Sequence, residues 1–149
     1  QCQPADFRTL DADIGGRGNS KKEYIVLDEN NVPSTRRTTI ILSPSWIGGS
    51  QLVWKPFENF HAAWLSKYVG KQFLDNSESE LLSLSDYFIN DVRISYGLRP
   101  RGIKGVDLGL LVNNIFDVAY SSNGYGYGGT PYFFPQAGIN FIAMVSVKI

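Results

Sequence analysis

Between Tyr87 and Arg99 the sequence alternates with period two: Val92, Ile94, Tyr96 and Leu98 take one side, and Asp91, Arg93, Ser95 and Gly97 take the other. This run constrains the fold more than any other feature, because successive side chains of a strand point to opposite faces and no helix has that period. Strands of soluble proteins average about 5 to 6 residues, whereas a tilted strand needs about 9 to 11 to cross a bilayer. The run belongs to the longer class.

Four further segments have the same texture. One runs from Trp46 to Lys55 and stops at Pro56, which cannot donate to a ladder, with Glu58-Asn59 completing a turn. The next, from Phe60 to about Leu74, sets Phe60, Ala62, Trp64 and Tyr68 against His61, Lys67 and Lys71, with Ser66 as the polar exception. A fourth, Val106 to Phe116, opposes Val106, Leu108, Leu110 and Val112 to Asp107, Gly109 and Asn113, and only Leu111 spoils the pattern. The last runs from Gly138 to the terminus, with Ile139, Phe141, Ala143, Val145, Val147 and Ile149 opposite Asn140, Ser146 and Lys148. The connections alternate in length: short at Pro56 to Asn59, long at Asp75 to Asp86, short at Pro100 to Gly105, long at Asp117 to Ala137. Bacterial outer-membrane barrels have short periplasmic turns and long external loops, so this register puts the end of the chain on the periplasmic side.

Residues 1–37 are polar and glycine-rich, and they read as an external loop with a short strand at Tyr24 to Leu27; residues 38–149 carry the strands. The expected fold is therefore all-β, an antiparallel transmembrane β-barrel fragment of about five long strands, short of the eight that the smallest closed bacterial barrels use. No basic stretch followed by an apolar segment opens the sequence, which suggests a removed leader or a start in mid-protein. Fourteen basic residues balance fourteen acidic ones, so no nucleic acid is implied as a partner. Cys2 is the only cysteine, which leaves no internal disulfide and no cysteine-based metal site.

No catalytic or cofactor site is expected. His61 is the sole histidine and reads as a lumen-facing or interfacial polar residue rather than part of a nucleophile triad. Asp11-Ala12-Asp13 before Gly15-Gly16 hints at a calcium loop, but Lys22 stands where a bidentate Glu belongs, so a solvated loop is the better reading and no metal is assigned. The run Gly124 to Gly129 lacks the Lys-Ser or Lys-Thr of a phosphate loop. It reads either as a ligand-contact loop, with Tyr125, Tyr127 and Tyr132 stacking on a sugar or chelate, or as an aromatic-rich loop near the membrane interface. Lys67, Lys71, Asp91, Arg93, Asn113 and Asn140 are the expected lumen-facing polar residues, and Trp46, Trp54 and Trp64 the expected lipid-facing girdle.

Four motifs carry a family resemblance over residues 38–149. Ser66-Lys67-Tyr68-Val69-Gly70-Lys71-Gln72-Phe73-Leu74-Asp75-Asn76 and Tyr87-Phe88-Ile89-Asn90-Asp91-Val92-Arg93-Ile94-Ser95-Tyr96 resemble successive strands of the TonB-dependent receptor barrel. Val112-Asn113-Asn114-Ile115-Phe116-Asp117 with Tyr120 resembles the penultimate-strand motif, and Pro135-Gln136-Ala137-Gly138-Ile139-Asn140-Phe141 the entry to the closing strand. Family members usually end in an aromatic residue, where this chain has Ile149. The resemblance implies a 22-stranded outer-membrane barrel around an N-terminal plug. It further implies import of a scarce iron chelate, cobalamin or oligosaccharide, driven by the TonB complex through a segment ahead of the plug. The implied partners are outer-membrane lipid, the rest of the barrel and plug, the TonB complex, and a small-molecule or glycan ligand. A plug-less porin or other outer-membrane barrel, and a soluble carbohydrate-binding β-sandwich, remain the alternatives.

Overall fold

The computed structural model describes residues 10–18, 21–27, 32–102 and 104–148. In chain order the strands are β1 (Leu10–Gly18), β2 (Lys21–Leu27), β3 (Pro33–Thr39), β4 (Trp46–Trp54), β5 (Phe60–Val69), β6 (Gln72–Phe73), β7 (Ser83–Leu84), β8 (Tyr87–Leu98), β9 (Gly105–Asn113), β10 (Ser121–Tyr127), β11 (Thr130–Pro135) and β12 (Asn140–Lys148). One 3-10 turn, Glu80–Leu82, precedes β7. Six strands form the main antiparallel sheet in the order β1-β4-β5-β8-β9-β12, and the rest form three two-stranded hairpins.

The sheet has one strand more than the five read from the sequence. Leu10–Gly18, assigned to the loop region, pairs with Trp46–Trp54 along its whole length. Its pattern is a strand pattern, with Asp11, Asp13 and Arg17 on one face and Ala12 and Ile14 on the other, but Gly15, Gly16 and Gly18 disguise it as turn material. The single short strand expected at Tyr24 to Leu27 is one arm of a hairpin in which Lys21–Leu27 pairs with Pro33–Thr39. The second long strand ends at Val69 rather than Leu74: after a last bond from the Gly70 N–H to the Trp46 carbonyl at 2.8 Å, Gln72–Phe73 pairs with Ser83–Leu84 instead of with the main sheet.

Directly paired residues of antiparallel strands share a face, so the register sorts the side chains. One face carries, among others, Ile14, Leu52, Trp54, Ile94, Leu108, Leu110, Phe141, Val145 and Val147; the other carries Asp13, Gln51, Lys67, Asp91, Arg93, Asp107 and Lys148. Among the described residues the apolar face has no second layer. Phe141 is 74% exposed and Val145 67%, while Val69, Leu74, Leu84 and Tyr87 are the only buried large apolar side chains among the described residues. Leaving such a side chain in water costs about 1.5 to 3 kcal/mol, so a face of this size calls for an apolar surrounding. A β-sandwich would set a second sheet on it and is not what this chain forms.

Aromatic rings border the apolar band at both ends. Near the short turns, Phe57 lies 5.2 Å from Phe60 and 6.2 Å from Tyr96, and Trp54 packs edge-on to Phe60. Near the long connections, Trp46 lies 5.6 Å from Tyr68, which pairs with Phe88, and Trp64 lies 6.1 Å from Phe116. From Phe60 to Tyr68 is about 27 Å along the strand, or about 20 Å once a strand leans by about 40°, close to the apolar band of about 25 Å on membrane barrels.

Three polar residues interrupt this face, Ser50, Ser66 and Asn90, and the last two answer each other. Ser66 and Asn90 are opposite in register; the Ser66 hydroxyl donates to Asn90 Oδ1 at 2.6 Å, and the Trp64 indole N–H is shared between Ser66 Oγ at 2.9 Å and Asn90 Oδ1 at 3.1 Å. Among the described residues, Asn90 Nδ2 is the one buried side-chain polar atom without a hydrogen-bond partner.

The connections segregate by length. Residues 55–59 and 99–104 turn tightly at one end of the sheet, where the Lys104 N–H bonds to the Lys148 carbonyl at 2.9 Å and brings β12 to its close. The described residues of the three long connections, 19–45, 70–86 and 114–139, all lie at the other end.

Candidate functional site

The long connections touch one another and form a rim. Leu42 and Ser45 donate their N–H groups to the carbonyls of Phe73 (2.9 Å) and Lys71 (3.1 Å), and Glu78 accepts both the N–H and the hydroxyl of Thr39 at 2.7 Å. Leu74 and Leu84, on the 70–86 connection, are buried. The Gly/Tyr-rich stretch is not an irregular loop: β10 and β11 form a hairpin closed by Gly128 (φ 58) and Gly129 (φ 80), a pair of positive φ values that suits a two-residue hairpin turn.

That hairpin has two unlike faces. On one, Gly124 and Gly126 let the strand lie against the 70–86 connection; a Cβ at Gly124 would stand 2.7 Å from the Tyr132 carbonyl and 3.4 Å from Leu74, and one at Gly126 3.1 Å from Leu82. On the other, Tyr125 stacks on its register partner Tyr132 at 5.0 Å with 13° between the rings, and Phe134 lies 6.0 Å from Tyr125. Tyr127 shares this face one step farther out and is 77% exposed. The three tyrosines singled out in the sequence are thus brought onto one surface, and Phe134, which periodicity across the turn would have found, joins them. No charged residue lies between Asp117 and Lys148, so this surface offers rings and hydroxyls only. Beside it, a cleft of about 320 Å³ opens between the hairpin and the 70–86 connection, lined by Ser83, Ser85, Asp86, Tyr120 and Phe133 among others.

The root of the hairpin is a knot of side-chain to backbone bonds. Asn114, buried and at φ 50, donates from Nδ2 to the carbonyls of Val118 (2.9 Å) and Ala137 (3.4 Å) and accepts the Val118 N–H on Oδ1 (3.0 Å). Asp117, at φ 53, accepts the Ile139 N–H at 2.8 Å. Asn and Asp are the non-glycine residues that tolerate this left-handed conformation best. Gly138 makes room: a Cβ there would collide with Asp117 Oδ1. The motif Val112 to Asp117 therefore ties the end of β9 to the start of β12.

On the polar face of the sheet, the register places Lys67, Asp91, Arg93, Asn113 and Asn140 on one surface. Asp91 accepts the Asn114 N–H at 2.8 Å, and Asn113 Nδ2 donates to Asn140 Oδ1 at 2.8 Å. Lys67 and Arg93 have no hydrogen-bond or ion-pair partner among the described residues. Lys71 does not join them; it lies beyond the strand break at Gly70 and pairs with Glu80 at 2.6 Å. Sequence reasoning missed Asp13 and Gln51, which flank Lys67 and Asp91 around a depression of about 460 Å³ floored by Gly15 and Gly49. Asp11 and Asp13 are strand residues rather than a calcium loop, and Asp11 lies 3.9 Å from Lys55. At the short-turn end Asp107 bridges Lys148 (2.7 Å) and Arg99 (3.5 Å). Trp46, Trp54 and Trp64 all belong to the apolar face.

Neither a protein-family model nor a curated protein matches the sequence. Among solved structures, the chain is similar to the siderophore receptor PiuA from Acinetobacter baumannii, with TM-score 0.70 and 16% identity over 94% of this chain and 20% of the receptor. It is also similar to the ferric-catecholate import receptor Fiu from E. coli K12, in an open form (TM-score 0.55, 16% identity) and a closed form (TM-score 0.55, 14% identity), each over 76% of this chain and 17% of that one. The chain thus spans about a fifth of the length of these receptors. With its six antiparallel strands, open edges and segregated loops, it has the fold of a stretch of their β-barrel wall.

Proposed function

We propose that this chain is a stretch of the wall of a TonB-dependent outer-membrane receptor that imports an iron chelate. The observation that carries the reading is the single sheet with an aromatic-bordered apolar face, a polar face and two open edges, β1 and β12. Unpaired backbone groups in hydrocarbon cost several kcal/mol each, so both edges pair with further strands of a longer polypeptide, and the barrel closes around the polar face. Similarity to siderophore receptors supports a chelate as cargo over cobalamin or an oligosaccharide. The long connections then face outside the cell and the end of the chain faces the periplasm. Coupling to the TonB complex runs through a segment outside this chain.

Tyr125, Tyr127 and Tyr132 form the ligand contact at the rim, while Lys67, Asp91, Arg93, Asn113 and Asn140 line the lumen. The test is uptake of radiolabelled ferric chelates by iron-starved cells that express the full-length chain, with and without an inner-membrane proton gradient. Gradient-dependent uptake of at least one chelate is expected. Gradient-independent leakage of small solutes of every kind would identify a pore instead.

A further inference from the structure

The cleft of about 320 Å³ between the β10–β11 hairpin and the 70–86 connection is separate from the tyrosine surface. Gly124 is paired with Phe133 and Tyr125 with Tyr132, so Phe133 stands on the opposite face of the hairpin from the stacked tyrosines. The walls come from the connections β5 to β8 and β9 to β12, and the open edge of β1 takes no part. Leu84, 2% exposed, and the Phe133 ring supply the apolar lining, while Ser85, Asp86, Tyr120 and Ser121 supply the polar lining. Two of these are held in place: Tyr120 packs on the buried Tyr87 ring at 4.4 Å, and Asp86 Oδ2 accepts the Tyr68 hydroxyl at 3.0 Å. Asp86 Oδ1 and the hydroxyls of Ser85, Tyr120 and Ser121 have no hydrogen-bond partner among the described residues.

That lining selects among ligands. No cation lines the cleft, so the Asp86 carboxylate repels a phosphate or another carboxylate. A wholly apolar ligand would strand the carboxylate and three hydroxyls without partners. A sugar ring has both surfaces that are needed, a C–H face for the Phe133 ring and edge hydroxyls that donate to Asp86 and exchange bonds with the serines and Tyr120. Small-molecule pockets run from about 300 to 1,000 Å³, so this one has room for a single ring rather than a chain. We infer that the cleft binds one uncharged sugar ring. Tyr68, which anchors Asp86, belongs to the aromatic border of the apolar face, so the ring can come from a glycolipid headgroup or from a soluble saccharide. The site goes beyond the chelate contact at the tyrosines and does not depend on it.

The test is saturation-transfer NMR on the full-length chain in nanodiscs, with methyl α-glucopyranoside, methyl β-galactopyranoside and choline as free probes. Transfer to the ring C–H protons of at least one glycoside is expected. Asp86→Ala, which removes a charged acceptor, should weaken that binding by about tenfold or more. Ser121→Leu, which fills the cleft, should abolish it; Asp86→Ala lies outside the hairpin and decides the matter where Ser121→Leu disturbs the hairpin. Tyr125→Ala, on the far face, should leave the glycoside signal in place. Absence of transfer to both glycosides, or transfer to choline alone, overturns the site. So does a glycoside signal that Asp86→Ala spares and Tyr125→Ala abolishes, which would move the sugar to the tyrosine surface. Displacement of the glycoside by glucosyl diacylglycerol built into the nanodisc identifies a lipid headgroup as the source, and persistence of the signal identifies a soluble saccharide.

Discussion

Asn114 and Val118 exchange two hydrogen bonds, Nδ2 to the Val118 carbonyl at 2.9 Å and the Val118 N–H to Oδ1 at 3.0 Å, so that a single side chain closes the turn from which the β10–β11 hairpin springs. Both bonds need the carboxamide, and the left-handed backbone at φ 50 needs a residue that tolerates it. Asn114→Ala loses both, with a cost of about 2 to 4 kcal/mol from orphaned backbone groups and backbone strain. Asn114→Gly relieves the strain but not the lost bonds and should cost less than Asn114→Ala. Urea unfolding midpoints in detergent for the two variants check this order; equal midpoints would remove the backbone contribution.

Val145 and Ser146 are neighbours on β12 with opposite outlooks, Val145 paired with Leu108 and Ser146 with Asp107. Val145→Arg places a charge on the face assigned to hydrocarbon, and a cost of about 2 to 4 kcal/mol is expected at mid-bilayer depth. Ser146→Arg places the same charge beside a carboxylate and should change stability by less than about 0.5 kcal/mol. Folding free energies measured in lipid vesicles decide it; comparable losses for the two would mean that the faces have been assigned the wrong solvents.

The sheet was legible where strands were long and chemically two-sided. Strands β5, β8, β9 and β12 read directly, because Lys67, Asp91, Arg93, Asp107 and Lys148 alternate with apolar and aromatic residues and fix the period. Strand β1 did not, because its glycines cancel the apolar half of the pattern and only Asp11, Asp13 and Arg17 keep the beat. The break at Gly70 was missed for a related reason: Lys67 and Lys71 share a parity, and period alone cannot show that the strand of the main sheet stops between them. The tyrosine surface was half legible. Residue type singled out Tyr125, Tyr127 and Tyr132, but their meeting depends on the Gly128-Gly129 turn that sets Tyr125 opposite Tyr132. The Asn114 and Asp117 knot was visible only as a motif, since its bonds reach to Ala137 and Ile139 across the whole hairpin.

The close approach of the hairpin to the 70–86 connection depends on Gly124. A side chain there meets the Tyr132 carbonyl at 2.7 Å, backbone that cannot step aside, so Gly124→Val should pry the hairpin from Leu74 at a cost of about 1 to 3 kcal/mol. The main sheet is not touched. Limited proteolysis is expected to cut residues 121–135 faster in this variant while the barrel keeps its thermal midpoint. Chelate affinity should fall with it, and wild-type affinity in a variant whose hairpin is cut faster would detach the tyrosine surface from ligand capture.

Lys71 and Glu80 form an ion pair at 2.6 Å, but their side chains are 41% and 75% exposed, which limits what the pair contributes. Exposed pairs are worth about 0.2 to 1 kcal/mol, and salt screens them. Lys71→Ala should therefore lower stability by less than about 1 kcal/mol, and the difference from wild type should shrink as salt rises to about 1 M. Lys67 faces the polar depression without a counter-ion among the described residues, so Lys67→Ala removes a charge from the proposed lumen and should alter uptake while leaving the unfolding midpoint nearly unchanged. Measuring uptake and stability for both variants separates the two lysines. If Lys71→Ala impairs transport and Lys67→Ala does not, the lumen-facing assignment has been given to the wrong residue.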